Sequence, residues 1–502
     1  MNPTILDKKF ILKVVVFVCG AVVMIFELVG SRVIAPYVGT SIYAWTSLIG
    51  VILASLSVGY YVGGFLADRK PSIKPMALII ILSAVAVAFS AFTKDIFSVT
   101  IAVSSFPLEI KSILISLLLF APTSFLLGMV SPYAVRLSIS DIAKSGSTSG
   151  NLHAISTAGS ICGTFLAGFY IIPNFGSTNT LIILSVALLL MAIALLLGAN
   201  TQRYITISVF LVIVFLGLTH IVSRMEQTVF VADVDTAYNR ILVLDTTDPA
   251  TKKPIVTLST DPYGTQAAMF TDGTDDLVFS YTKFYRLFSH FVPAPKSALM
   301  IGGSAYTYPR DFIKNYPDAH MDVVEIDPGM TDVARKYFGL RDEKNLTIFH
   351  RDGRMYLNEN TKKYDVIFGD AFNSASSIPF ELTTQEAVVK LHNALTDGGV
   401  VMVNIISAIE GEKGKFARAE YATYKKVFPQ VFLFLVDDVH SGSQPQNIML
   451  VALKSDQIPT WQSSNQEIDG FLSHLWEKPI VDDVPVLTDN FAPVEYYKRL
   501  SL

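Results

Sequence analysis

From residue 11 to residue 222 apolar positions follow one another almost without a break, whereas from about 225 onward short apolar blocks alternate with charged and turn-forming residues. The first pattern has the length of bilayer crossings. A helix needs about 20 apolar residues to pass through about 30 Å of hydrocarbon, and seven segments reach that length: 11–31, 43–66, 75–93, 112–134, 151–173, 179–198 and 203–222. The stretch IFSVTIAVSSF (96–106) is apolar but too short to cross, and reads as a re-entrant or interfacial piece. No small-residue cleavage site follows the first segment, so it reads as a span and not as a removed signal.

The second pattern has two parts. In 225–295, NRILVLD (239–245), PIVTLST (254–260) and YGTQAAMFTDG (263–273) alternate between turn-rich connections and predict a small antiparallel sheet. From 296 strand and helix take turns. The strands are SALMI (297–301), MDVVEID (321–327), LTIFH (346–350), YDVIFGD (364–370) and VVMVNII (400–406). Helices are expected at 307–315, at 328–339 (with Pro at its start and Gly at its end) and at 384–396. Apolar strands alternating with helices of this length predict a doubly wound, Rossmann-like α/β domain with a parallel sheet. The expected organisation is a multi-span helical membrane domain (1–224), a β-sheet extension (225–295) and a nucleoside-binding catalytic domain (296–502).

Composition fits that division. The chain of 502 residues is 51% hydrophobic and 16% charged, too apolar on average for a soluble protein. Its net charge of −4 provides no basic footprint for nucleic acid. Cys19 and Cys162 both lie in apolar segments without partners at metal spacing, so neither a disulfide framework nor a metal site is expected. Glu27 is a carboxylate inside the first span, and such residues are functional candidates or helix-packing partners. Positive charges divide unevenly. Lys8, Lys9, Lys13, Arg69, Lys70, Lys74, Arg136, Lys144 and Arg203 fall on one side, Arg32, Lys94, Lys111 and Arg224 on the other. The positive-inside rule puts the first set in the cytoplasm, and seven spans then carry the α/β part outside. A nucleoside substrate argues for the cytoplasm, so the two arguments conflict.

Ligands of doubly wound sheets bind beyond the carboxyl ends of the strands. There the chain carries Gly302, Gly303 and Ser304 after the first strand, Glu325 and Asp327 after the second, Asp352 and Gly353 after the third, and Asp370 after the fourth. Glycines admit a close backbone approach. A carboxylate after the second strand suits both ribose hydroxyls, and an Asp after the third can accept from the exocyclic amine of adenine. Each acid also has a plainer reading as a helix cap. Together they describe a nucleoside site without the cations that a di- or triphosphate needs.

The order MIGG, VVEIDP, ARKYF, RDGRMYL, YDVIFGDAF, LTDGGVVMVN resembles spermidine synthase and its aminopropyltransferase relatives over about 227–455. The stretch from FELVGSRVIAPYVG to VGGFLADR (26–69) and the tail LTDNFAPVEYY (487–497) are similar to bacterial transmembrane proteins fused to such a domain. The resemblance implies decarboxylated or intact S-adenosylmethionine as substrate, methylthioadenosine as product, no prosthetic group, a polyamine as acceptor, the bacterial inner membrane as location, and a homodimer as one compatible assembly. It matches Glu325 to the ribose-binding acid, Asp352 and Gly353 to the adenine contact, and Asp370 to the carboxylate that prepares the attacking amine.

The chain departs from that pattern at the amine. Where relatives have an Asp inside the glycine loop it has Ala305, followed by Tyr306 and Thr307. It keeps Tyr263 and Gly264, but has Asp276 at a Gln position, Tyr281-Thr282 at an acidic pair, Tyr285-Arg286-Leu287 at a Tyr-His-Glu, and Asn373 near the gate. Four readings stay open: aminopropyl transfer to an altered amine, release of methylthioadenosine from S-adenosylmethionine without an acceptor, methyl transfer, and a sensor or transporter that binds nucleoside or polyamine without turnover.

Overall fold

The structure is a computed structural model that describes residues 8–139, 141–196, 230–261, 264–371 and 378–501, with the single positions 206, 209 and 217. The chain divides into two compact units, Met1–Val229 with Asp235–Ala237, and Phe230–Val234 with Tyr238–Leu502.

The first unit is helical: α1 (Lys8–Val38), α2 (Ile42–Arg69), α3 (Ile73–Ala102), α4 (Leu108–Ser138), α5 (Ser145–Leu166) and α6 (Ile172–Leu196). A five-residue π-helical turn, Ala167–Ile171, and a break at Gly176 (φ +69°) interrupt the run from α5 to α6. Counted as continuous helices among the described residues, five are long and apolar enough to cross a membrane, the last being Ile142–Leu196. Six of the seven expected segments fall within them. The seventh, 203–222, lies almost wholly outside the described residues. Residues 96–102 correct the expectation of a re-entrant piece, for they continue α3 without a break. The run looks short only when counted apart from the helix it ends.

Small residues set how closely these helices approach. A Cβ on Gly63 of α2 would come within 2.5 Å of Met129 Cα on α4, and one on Gly128 of α4 within 2.7 Å of the Leu56 carbonyl oxygen. In an apolar solvent, where burial of hydrocarbon drives little, such backbone approach is a main source of helix association. Gly63→Val is therefore expected to push α2 from α4 and lower the thermal midpoint of the detergent-solubilised protein. The same change at Gly50, which has no heavy atom within 4 Å of its Cβ position, should leave the midpoint unmoved.

The second unit opens with a four-stranded antiparallel sheet, β1 (Ala232–Asp235), β2 (Arg240–Thr247), β3 (Pro254–Ser259) and β4 (Ala267–Phe270). The main sheet follows. It consists of β5 (Ser297–Ile301), β6 (His320–Val324), β7 (Leu346–Phe349), β8 (Tyr364–Gly369), β9 (Leu395–Ser407), β10 (Gln430–Leu435) and β11 (Gln446–Leu453), in the order β10-β11-β9-β8-β5-β6-β7. The five strands from β9 to β7 are parallel. These are the five strands expected to pair in parallel, and the sheet adds two that were not among them: β11 runs antiparallel to β9, and β10 antiparallel to β11. The two are joined by a short turn-rich connection and not by a helix, and only a crossover could have kept them parallel. Strand order reverses between β5 and β8, which pair from Ala298↔Val366 to Ile301↔Gly369. That reversal is the switch point of a doubly wound sheet.

Both faces of the main sheet are covered. Leu299, Ile301, Ile367, Val401 and Ile405 pack on one side with Leu391, Phe416 and Tyr424. Met300, Val323, Phe368 and Met402 pack on the other with Phe288, Tyr308 and Phe312. The small sheet has its own core, in which Ile241, Val243 and Leu258 meet Met330, Val333 and Phe338 of the region around helix Pro328–Tyr337. The helices begin where their sequences dictate. Pro328 opens one behind Asp327, whose carboxylate accepts from Gly329 N at 2.9 Å, and Thr384 caps Gln385–Ala394.

Candidate active site at the switch point

The two strands that flank the reversal are followed directly by Gly302 and Asp370. Asp370 N donates to the Ile301 carbonyl at 2.9 Å, and Gly302 N to the Val324 carbonyl at 2.9 Å, so the tips of β5, β6 and β8 form one lattice. Gly302 has φ +95°, and a Cβ there would lie 2.8 Å from the Asp370 carbonyl carbon. Only glycine combines that backbone conformation with that approach. Gly353 performs a similar service for β7, for its Cβ position lies 2.8 Å from Ile301 Cγ2.

Glu325, at the end of β6, is the brace of this lattice. One carboxylate oxygen accepts from Gly303 N (2.8 Å) and Ser304 N (3.1 Å), the other from Asp327 N (2.9 Å). Burial pushes its pKa up, and the three backbone amides act in the opposite direction. Its bonds hold the loop after β5 against the end of β6, and the oxygen that accepts from Asp327 N keeps one further acceptor site for a ligand hydroxyl. Asp327 is fully buried and caps the following helix; Asp352 caps Gly353–Glu359 through Met355 N (2.8 Å) while staying exposed. Both thus also serve as the helix caps that strand-end acids commonly provide.

The loop itself is filled from within. Ser304 and Tyr306 both adopt left-handed backbone conformations (φ +46° and +56°). The Tyr306 ring lies over Gly303, 2.7 Å from where a Cβ would be, and its hydroxyl meets Thr331 Oγ1 at 2.7 Å. Ala305 is fully buried in the core of the small sheet. The position at which relatives carry an acid therefore points into apolar packing here, and a carboxylate there would have no access to a ligand.

Asp370 has a polar surround of its own. Asn404 Nδ2 on β9 donates to its Oδ1 at 3.2 Å, and Tyr281 and Tyr285 stand near enough for their hydroxyls to favour its anion. Burial raises its pKa to about 6, with Asn404, Tyr285 and Tyr281 holding it from rising further. Tyr281 and Tyr285 are pushed well above the usual tyrosine range, first by burial and then by the neighbouring Asp370 charge, so both stay protonated donors. Tyr285 OH also lies 3.2 Å from the Gly369 carbonyl, and Tyr281 OH 3.1 Å from that of Gln266.

Asp276 is not gathered with the others. Its carboxylate pairs with Lys283 at 2.6 Å and with Arg286 at 3.1 Å, and Arg286 is further held by Asp311 (2.7 Å) and Glu467 (2.9 Å). It lines a separate, larger cleft with Thr307, Arg310 and Leu340. Its carboxylate is thus shared between two cations. Tyr263 and Asn373 lie outside the described residues. Two residues of this region had gone unread in the sequence. Asn404 is the single polar residue within the run VVMVNII, and Glu420 falls on the buried side of helix Lys415–Lys425 at spacings of four from Phe416 and Tyr424. Period and polarity together could have found both.

Three comparisons bear on this geometry. Residues 285–443 match the family model described as spermine/spermidine synthase domain. A polyamine aminopropyltransferase of Vibrio vulnificus is 29% identical over 252 residues, which cover 46% of this chain and 80% of that protein. Polyamine aminopropyltransferase 1 of Streptomyces coelicolor is 22% identical over 433 residues, 79% of this chain and 75% of that protein, more than the α/β unit alone can supply. A solved structure described as a probable spermidine synthase from Corynebacterium glutamicum aligns at 22% identity over 48% of this chain and 85% of that one, with a TM-score of 0.40. Tips, loop and family match coincide over one stretch: residues 285–443, which hold the strand tips, match the spermine/spermidine synthase domain, and the chain is similar to polyamine aminopropyltransferases.

Proposed function

We propose that this is a membrane-embedded aminopropyltransferase, anchored through residues 1–224 and catalytic through 296–502, that uses decarboxylated S-adenosylmethionine and releases methylthioadenosine. The observation that carries the reading is Asp370 at the switch point, bonded to Asn404 and close to Tyr281 and Tyr285, with its main chain directly against the Gly302 backbone. The nucleoside lies along Gly302, Gly303, Ser304, Glu325 and Gly353, with Asp352 at the adenine side. In the reaction the lone pair of a neutral amine attacks the methylene next to the sulfonium. The carbon–sulfur bond breaks, its electron pair stays on sulfur as a neutral thioether, and the new ammonium gives up a proton. Asp370 draws in the amine as its cation, orients it and takes the proton whose loss frees the lone pair for attack, and the proton of the new ammonium leaves to solvent.

A second reading keeps the nucleoside site and dispenses with the amine. Because Ala305 is packed in a core, no loop acid selects the decarboxylated form, which favours release of methylthioadenosine from S-adenosylmethionine alone. One incubation separates the two: purified full-length protein with either sulfonium, with and without 1,4-diaminobutane. Methylthioadenosine that appears only with amine supports transfer, and its appearance without amine supports the lyase. S-adenosylhomocysteine would mean methyl transfer, and binding without any product would leave a sensor.

The pH profile supplies an independent check. Asp370 acts as its anion, so activity is full above its raised pKa and falls as pH drops through about 6. Tyr281→Phe removes a donor that holds this pKa down, and the acidic limb of kcat/KM should move to higher pH. A limb unmoved in that variant counts against Asp370 as the titrating group.

A further inference from the structure

Asp235–Ala237 belong to the helical unit. The Arg32 guanidinium, near the end of α1, donates to the carbonyls of Thr236 (2.6 Å) and Ala237 and lies 3.3 Å from the Asp235 carboxylate. The second Asp235 oxygen accepts from Ser177 N at 2.5 Å, just past the break in α6. A Cβ on Gly176 would stand 2.8 Å from that oxygen, so the break is shaped around the carboxylate. The chain at 235–237 is thereby fixed to the Arg32 end of the helices.

The helix ends sort into two sets. Short connections at 39–41, 70–72 and 103–107 make α1 to α4 alternate in direction. At one end the Tyr133 hydroxyl bonds to the Lys70 carbonyl and Arg136 pairs with Asp68 at 3.0 Å. At the other, the Tyr37 hydroxyl donates to Asp95 at 2.5 Å and Lys111 to the Ala102 carbonyl at 2.7 Å. Helix α5 runs parallel to α1, for Gly159 meets Phe17 and Gly163 meets Ala21. Equal advance along both brings Asn174 level with Arg32, so the break lies at that end. A straight continuation would carry Ser185 about 13 Å past the break. Instead Ser185 donates to the carbonyl of Ala84, well inside α3, at 2.9 Å. Helix α6 therefore turns back, Ile142–Leu196 crosses twice, and Leu196 ends among the first set.

That first set holds Lys9, Lys13, Arg69, Lys70, Lys74, Arg136 and Lys144, the second only Arg32, Lys94 and Lys111 among the described residues. The three in the second set are all engaged, Arg32 with Asp235, Lys94 with Asp95 at 3.0 Å, and Lys111 with a carbonyl. The positive-inside rule assigns the first set to the cytoplasm. We infer that the chain leaves the helical unit on the opposite side, and that the residues after Ala237 work outside the cytoplasm. Between Leu196 and Asp235 the chain changes side, for which the apolar length of 203–222 suffices. Among the described residues every helix long and apolar enough to cross ends by Leu196, so nothing after Ala237 returns. Of the two arguments drawn from the sequence, charge prevails over substrate.

This sidedness does not depend on the proposed chemistry, but its consequence does. A sulfonium carries a fixed charge and an alkylamine is an ammonium at neutral pH, and neither crosses hydrocarbon unaided. The transfer reaction then follows a carrier-mediated export of its donor and releases methylthioadenosine outside.

The test uses full-length protein with Cys19→Ala and Cys162→Ala in a bacterial inner membrane, carrying either Ile458→Cys or Ile142→Cys. Both positions are highly exposed, 458 in the α/β unit and 142 at the cytoplasmic end of α5. A membrane-impermeant maleimide is applied to intact spheroplasts and to lysed ones. Position 458 is expected to label in intact spheroplasts and 142 only after lysis. Protection of 458 until lysis would overturn the inference. Alkaline phosphatase, active only outside the cytoplasm, fused after Leu502 of the unaltered chain repeats the reading without substitutions: activity is expected, and an inactive fusion beside a fluorescent green-fluorescent-protein fusion would overturn it. Sealed spheroplasts given external decarboxylated S-adenosylmethionine and 1,4-diaminobutane test the consequence. Methylthioadenosine formed only after lysis would count against the sidedness. None before or after lysis, with 458 labelled, would sink the transfer reaction and leave the sidedness standing.

Discussion

Asp370→Asn is expected to lower turnover by about 10²–10⁴-fold, the range that a positioned proton acceptor contributes, while nucleoside binding persists. The substitution is nearly isosteric and leaves the main chain alone, and it is the main chain of Asp370 that abuts Gly302 and bonds to Ile301. The charge is lost, however, and with it the attraction for a cationic amine and the place for its proton. Equilibrium binding of methylthioadenosine, set beside single-turnover rates, separates these effects. Wild-type turnover in the variant would remove Asp370 from the chemistry.

Gly302→Ala should fail differently, losing binding and turnover together. The added Cβ would stand 2.8 Å from the Asp370 carbonyl carbon and 3.1 Å from Ala371 Cα, in a backbone conformation of φ +95°. Holding a non-glycine residue there costs about 1–3 kcal/mol, and relief by movement spreads the tips of β5 and β8. For a unit of this size each 1 kcal/mol lowers Tm by roughly 2–4 °C, so a drop of several degrees should accompany weakened nucleoside binding. Intact binding with an unchanged Tm would mean that the loop has more freedom than its packing allows.

The sequence displayed some levels of this organisation and concealed others, for physical reasons. Strands β5 to β9 were legible because each is a continuous apolar run bounded by turn residues, and the helix Thr307–Asn315 matched its expected limits. The direction of β10 and β11 was not legible, because an apolar run carries no sign of which way it pairs. In the site, spacing located Glu325, Asp352 and Asp370 at strand ends without revealing their partners. Glu325 turned out to brace three amides, and Asp276 to belong to an ion cluster around Arg286. Ala305 read as a lost ligand, yet it is buried in a different core, since a left-handed residue on either side turns it inward. Such reversals depend on tertiary contacts that local pattern does not encode.

The lattice of strand tips also bears on how such a protein can change. The proposed nucleoside site is built largely from peptide backbone: two glycines, amides drawn together by one acid, and a carbonyl packed against a Cα. Around Asp370, where the proposed acceptor would meet it, stand separate side chains on β9 and on the Tyr281–Tyr285 segment. Point substitutions rewrite side chains freely but scarcely alter backbone geometry. On the proposed reading one donor can be retained while acceptors are exchanged, and a designer seeking a new amine product would vary positions 281 and 404 and leave 302, 303 and 325 untouched.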